Sequence, residues 1–392
     1  MPGESPLSMM RPPAQRVRKL PTGRSWRRLW PILAPAAIVV VLAIAWVWLW
    51  YYSASVADRT LAGWVEREAA AGRVYSCGSQ SIGGFPFSIR ARCANAAAEV
   101  KNYQPPFAVQ AQAVTFAAEV FYPTRLVGDV TGPLTLADFG QPPHLAADWM
   151  RARVVVRGVP PDPEAVSIDL EAPHVDRIGG RGDAMFKAKR ADLQTRIAAG
   201  SPRDHPVIEV TLHLSGATAP TFHPLLAEPI EAELDAVIRG FKDLSPKPWA
   251  DRFREMQAAG GGIEIKLLRI AQTNAIVVGA GTLSVNAHGK LDGLVRVAIA
   301  GVEHIVPLLG IDRMIGQGID QLSGGDGALD RLIPGLSGAL RQTASASMIE
   351  NFKKMGEPTT IENRPATILP LRFSDGAIYL GMLRVGEAPP LF

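Results

Sequence analysis

The chain has 392 residues, 47% of them hydrophobic and 20% charged, a balance that excludes wholesale disorder. Of its 41 basic and 37 acidic groups, seven basic and one acidic fall within residues 1–30. The remainder carries 34 against 36 and is close to neutral, so no nucleic-acid-tracking surface is expected.

The first predicted element is the stretch "PILAPAAIVVVLAIAWVWLWYY", residues 31–52, which is uncharged. As a helix it reaches roughly 33 Å, enough to cross a hydrocarbon core of about 30 Å. Trp46, Trp48, Trp50, Tyr51 and Tyr52 crowd its far end, where amphipathic rings favour a membrane interface. The basic residues before it predict a cytoplasmic tail over 1–30, a transmembrane helix over 31–52 and an exported domain over 53–392. A cleaved signal peptide with Ser55-Val56-Ala57 as its site is the alternative, although the apolar run exceeds the usual signal length. None of the six asparagines beyond the anchor begins an Asn-X-Ser/Thr sequon, which favours a bacterial periplasm over a eukaryotic secretory lumen.

Residues 53–72 read as a helix, with Leu61, Trp64, Val65 and Glu68 at helical steps and Gly72 at its end. Next comes "CGSQSIGGFPFSIRARC", which holds the only two cysteines, Cys77 and Cys93. Gly83, Gly84, Phe85 and Pro86 mark a turn at its midpoint, so a hairpin places the thiols opposite each other for a disulfide in an oxidising compartment. Closing such a loop contributes about 3 kcal/mol in the chain-entropy account.

Period-two alternation then takes over. It is clear in "VSIDLEA" through Val166, Ile168 and Leu170, in "VIEVTLHL" through Ile208, Val210, Leu212 and Leu214, and in "IEAELDAVI" through Ile230, Leu234 and Ile238. A hairpin is expected around His288-Gly289-Lys290, with Leu283, Val285 and Ala287 on one face of its first arm and Val295, Val297 and Ile299 on the second. Another is expected at Asp375-Gly376. "PWADRFREMQAAGG" predicts a helix with Trp249, Phe253 and Met256 on one stripe, and residues 303–356 predict two or three more helices packed on the sheet. The fold class expected is α+β and β-rich: one anchor, then a long antiparallel meander with a few packing helices.

Chemistry is sparse. The seven histidines show no HExxH spacing and no neighbouring cysteine, so neither a metal site nor a cofactor is expected. No Gly-x-Ser-x-Gly elbow or Walker lysine is present, and Asp204-His205 reads as a turn beside Pro206. "GQGIDQLSGG" and "RGD" at 181–183 read as loops. No catalytic residues are assigned and no enzyme is expected. The suggestive feature is the apolar sheet face, with Ile208, Val210, Leu212, Leu214, Leu234, Val285 and Val297 as a candidate groove for acyl chains, the helices over 303–356 being the alternative cover.

The anchor followed by "LAGWVEREAAAGRV", then "IGGFPFSIRARC", "GTLSVNAHGKLDGLVRVAIAG" and "FSDGAIYLGMLRVGEAPPLF", resembles an uncharacterised, mainly alphaproteobacterial family, the domain-of-unknown-function family numbered 2125. The strand style is more loosely similar to AsmA-like envelope proteins, membrane-tethered β structures implicated in lipid traffic. The family supplies no catalytic residues to map. The expected role is non-enzymatic: a single-pass inner-membrane protein of the cell envelope whose periplasmic domain binds lipid or another hydrophobic ligand. A structural or assembly factor docking another envelope protein is the alternative.

Overall fold

The computed structural model describes residues 26–305 and 356–392, except 120, 160, 161 and 180–183, together with 350 and 354. Most of the span 303–356, over which two or three helices are expected, lies outside the described residues, as do the "GQGIDQLSGG" loop and the "RGD" triplet. Two compact units emerge, one ending at Val56 and one running from Ala57 to Phe392.

A single helix, α1 (Trp26–Ala70), carries both the predicted anchor and the predicted helix after it, and Gly72 follows with φ 81°. Its segment from Leu33 is long and apolar enough to cross a membrane. Beyond it the chain turns to strands. The first four are β1 (Arg73–Gly83), β2 (Ser88–Val100), β3 (Phe107–Glu119) and β4 (Tyr122–Asp138). Next come β5 (Leu145–Asp148), β6 (Arg151–Val159), β7 (Asp162–Glu171), β8 (His174–Arg177), β9 (Phe186–Lys187) and β10 (Arg190–Ser201). They are followed by β11 (Asp204–Ala217), β12 (Ile230–Arg239), α2 (Trp249–Ala258), β13 (Gly262–Ala271), β14 (Ile276–Val285), β15 (Leu291–Ala300) and α3 (Val302–Ile305). The last are β16 (Glu357–Ile361), β17 (Arg364–Ser374), β18 (Ala377–Leu380) and β19 (Leu383–Glu387).

All pairings among these strands are antiparallel, and they form one sheet. The short strands are halves of broken long ones. β4 pairs β6 through Arg125–Asp129 and β5 through Leu134–Leu136. β7 with β8, and β9 with β10, repeat the break on the next two strands. The fold is therefore the expected meander, each long strand hydrogen-bonded to its predecessor.

Turn chemistry fits its sequence at two places in particular. Gly84 has φ 102°, and a Cβ there would sit 2.7 Å from the Ser88 carbonyl oxygen, which the Gly84–Phe87 turn does not permit for other residues. Asp375 and Gly376 both have positive φ, as a two-residue hairpin turn between β17 and β18 requires.

At three places the structure differs from the expected pattern. Ala287 is exposed in the 286–290 turn and is not on the strand face with Leu283 and Val285. Trp249 is 65% exposed at the start of α2, and the buried stripe is Arg252 with Met256, because the guanidinium finds carbonyl and carboxylate partners there. Cys77 and Cys93 do form a disulfide, with Cα atoms 5.5 Å apart, but not as directly opposed residues. Cys77 opposes Ala96 and Cys93 opposes Gln80, and the regular ladder is interrupted between them beside Asn95, whose φ is 51°.

Candidate functional site

The register aligns one apolar row across thirteen strands. It starts Ile82–Ala91–Phe116–Gly128–Val154–Ile168 on β1, β2, β3, β4, β6 and β7. It continues Leu193–Leu212–Leu234–Leu268 on β10 to β13, then Gly279–Val297–Leu369 on β14, β15 and β17. Directly paired residues share a face, so every one of these side chains is on the same side of the sheet. Gly128 belongs to the row because the Phe116 ring occupies the space of its missing side chain: a Cβ would meet that ring at 2.8 Å.

The seven candidate groove residues lie on this face, but their environments differ. Ile208, Val210, Leu212, Leu214 and Leu234 are half-buried. Val285 and Val297, 8% and 4% exposed, are closed core and not open groove. Val297 packs with Val295, Ile299, Leu369 and Leu380, while Val385 of the last strand joins from β19. Val285 is covered by Phe241 and Met256, with Phe253, Leu391 and Phe392 around them. The open part of the face therefore runs from β1 to about β12.

The loop from Gly240 to Pro248 and α2 cap one end of this face. Phe241, Leu244, Phe253 and Met256 pack on Ile208, Ile238 and Ile263. A charged cluster ties the cap together. The 7%-exposed Arg252 donates to the carbonyls of Asp243 and Ser245 and to Glu255 at 3.1 Å, and Lys247 bridges Asp243 and Glu255. The Ser245 hydroxyl, with help from Lys247, holds the Asp243 carboxyl well below the usual carboxylate range. The Glu255 carboxylate in turn raises the Lys247 ammonium.

Tyr103, in the β2–β3 loop, donates its hydroxyl to the Lys247 carbonyl at 3.0 Å. Six strand steps separate β3 from β12 along the ladder, about 29 Å in a flat sheet. The contact therefore requires the sheet to curl, and it curls over the apolar side, where the capping loop is packed.

The opposite face is polar over the same strands. Arg153 pairs Asp129 at 3.8 Å, Arg190 pairs Asp192 at 2.8 Å, and Lys266 pairs Glu209 at 3.1 Å. A shallow cleft of about 160 Å³ there gathers Asp192, His213, Ser215, Glu231, Glu233 and Arg269. Its His213 and Glu233 face each other at 4.0 Å as partners in the ladder. Asp204 and His205, 2.8 Å apart, are exposed at the start of β11. Among the described residues, no three His, Cys, Asp or Glu side chains converge as a metal ligand set.

What sequence reasoning missed is the Tyr103–Lys247 contact and the Arg252 cluster. Neither has a periodic signal, since both depend on loops brought together by the sheet. No curated protein and no solved structure matches the chain. The family described as uncharacterized protein conserved in bacteria matches residues 50–389, a span that takes in the end of the apolar segment, the disulfide hairpin and the whole curled sheet, and the chain belongs to that family, DUF2125.

Proposed function

We propose that this is a membrane-tethered envelope protein with a non-enzymatic role, which accommodates an acyl chain or a similar hydrophobic ligand on the β1–β12 part of its apolar face. One observation carries the reading: the row from Ile82 to Leu234 is apolar at every strand, yet its side chains stay partly exposed inside a curled sheet. Each methylene of a bound chain placed there gains about 0.8 kcal/mol from leaving water. Placement of the sheet in the periplasm, with the tether in the bacterial inner membrane, is supported by the basic residues before the apolar helix and by the Cys77–Cys93 bond, which an oxidising compartment favours.

The test is native mass spectrometry of the full chain released from bacterial membranes in mild detergent. Co-purified phospholipid is expected, and it should be lost in Ile168→Lys and Leu193→Lys chains whose disulfide and melting temperature are preserved. Equal lipid retention by these variants overturns the assignment of the face. A lipid-free wild-type chain that cross-links to one stoichiometric envelope protein establishes a docking role instead.

A further inference from the structure

Four aromatic rings stand out at one end of the first four strands. Phe85 and Phe87 occupy the Gly84–Phe87 turn and are 51% and 60% exposed, while Phe121 and Tyr122, at the β3–β4 turn, are each 66% exposed. The two turns are side by side, since Ser88 pairs with Glu119, and the Phe87 and Phe121 rings stack with centroids 6.3 Å apart. Met150 and Met382 are exposed as well, but single exposed apolar side chains are ordinary on a protein surface.

Three further facts concern the same end. The segment of α1 from Ala57 onward runs antiparallel along β1: Asp58 accepts from the Gln80 amide at 2.9 Å, Trp64 packs on Tyr75, and Glu68 pairs with Arg73. The chain thus enters this unit beside Gln80, three residues before Gly83, directly after the apolar segment that closes on Tyr51 and Tyr52. Arg125 and Arg157 are direct cross-strand partners, both exposed, and like charges so placed repel. Among the described residues neither has an acid within ion-pair distance; they share an open cleft of about 460 Å³ with Tyr122 and Thr124, and with Glu119 and Glu164.

We propose that this end of the sheet is a bilayer-docking surface, with Phe85, Phe87, Phe121 and Tyr122 seated in the interface of an anionic phospholipid membrane and Arg125 and Arg157 beside the lipid phosphates. Aromatic rings favour that depth, where an apolar body and a wet edge are both satisfied. Guanidinium groups match phosphate geometry and lose their mutual repulsion when an anion lies between them. The surface rests on the membrane-tethered reading and would bring the open apolar face against its source of lipid.

The experiment uses the full chain reconstituted in phosphatidylethanolamine vesicles with and without phosphatidylglycerol, with p-benzoylphenylalanine replacing Phe121 or, as the control, the 68%-exposed Phe222. Irradiation should give lipid adducts several-fold more often from position 121 than from 222. The yield at 121 should rise with phosphatidylglycerol and fall when Arg125→Glu and Arg157→Glu are added. An intact Cys77–Cys93 bond in every chain confirms the hairpin. Equal yields at 121 and 222 in chains that float with vesicles after alkaline wash overturn the docking surface and leave the tether standing. Chains that do not float at all overturn the tether. Lipid retention in mass spectrometry reports on the apolar face independently of both.

Discussion

The strands from β1 to β12 and those from β13 to β19 follow the same meander yet solve different problems. In the first group one face is apolar and half-buried, and the other carries ladders of charge such as Arg153 with Asp129 and Arg190 with Asp192. In the second group the apolar face closes, and a part of the other face is apolar as well. Val295, Val297 and Leu369 close one side, and Ile276, Ala300 and Ala366 form a cluster on the other. The second group has a sequestered core of its own, whereas the first spreads its apolar surface as a continuous wall. A protein that only needed a stable fold would gain by burying that wall, which is why its exposure carries the functional proposal.

The largest expected effect contrasts the two groups directly. Leu369 is 1% exposed, and Leu369→Ala should cost about 3 kcal/mol of stability, as for other fully buried leucines. Leu193→Ala, on the same row but half-buried, should cost about 1 kcal/mol because less apolar surface is removed from water. Denaturant titration of the full chain in detergent measures both. Equal costs would mean that the first group is as tightly packed as the second.

The next sharpens the first group alone. Replacing Cys77 and Cys93 together by serine should destabilise the β1–β2 hairpin by about 3 kcal/mol, the entropy of a loop of this length. Hydrogen exchange should quicken in β1 and β2 and leave β15 and β17 unchanged. Uniform quickening would show that the two groups unfold as one cooperative unit.

A smaller effect is expected at the cap between the groups, and it depends on pH. The Asp243 carboxyl is depressed in the folded chain, so its contribution is complete above the ordinary carboxylate pKa of about 4 and is lost as pH falls toward the depressed value. Lys247 is raised, so its contribution holds below the ordinary lysine range and is lost only as pH rises through the raised value. Protection of α2 against protease should therefore fall in acid, and Asp243→Asn should flatten that dependence while lowering protection at neutral pH. An acid profile unchanged by Asp243→Asn would remove this carboxyl from the cap.

Much of this contrast was legible before the structure. Alternation through Ile208–Leu214 and Ile230–Ile238 gave the strands and the face, because one apolar and one wet side impose period two locally. The spacing of Cys77 and Cys93 around the Gly84–Phe87 turn gave the disulfide, though not its diagonal closure, which depends on the irregular backbone near Asn95. Which apolar residues were closed and which open could not be read. Val297 and Leu212 have the same pattern in sequence, and only the fold shows Val297 buried in a cluster with Leu369 and Leu380 while Leu212 stays half-buried. The exposed Trp249 and buried Arg252 invert the ordinary ranking for the same reason, since the loop carbonyls that satisfy the guanidinium come from seven and nine residues away.

The smallest effect is also the most specific to the curl. Twist accumulates strand by strand and has no sequence signature, so the meeting of Tyr103 with Lys247 is where it becomes measurable. Tyr103→Phe keeps the ring and its edge contact with Phe107 but removes the donor. Water can replace the bond at the Lys247 carbonyl, so the loss should be about 1 kcal/mol. That energy is too small to unfold the sheet but enough to loosen one contact between its distant strands. Amide exchange should quicken in residues 101–106 and 241–248 together, with β14 to β17 unaffected. Faster exchange in only one of the two loops would mean that the hydroxyl steadies its own loop, and that the curl is held by the packing of Phe241 and Met256 on Ile208 and Ile238 alone.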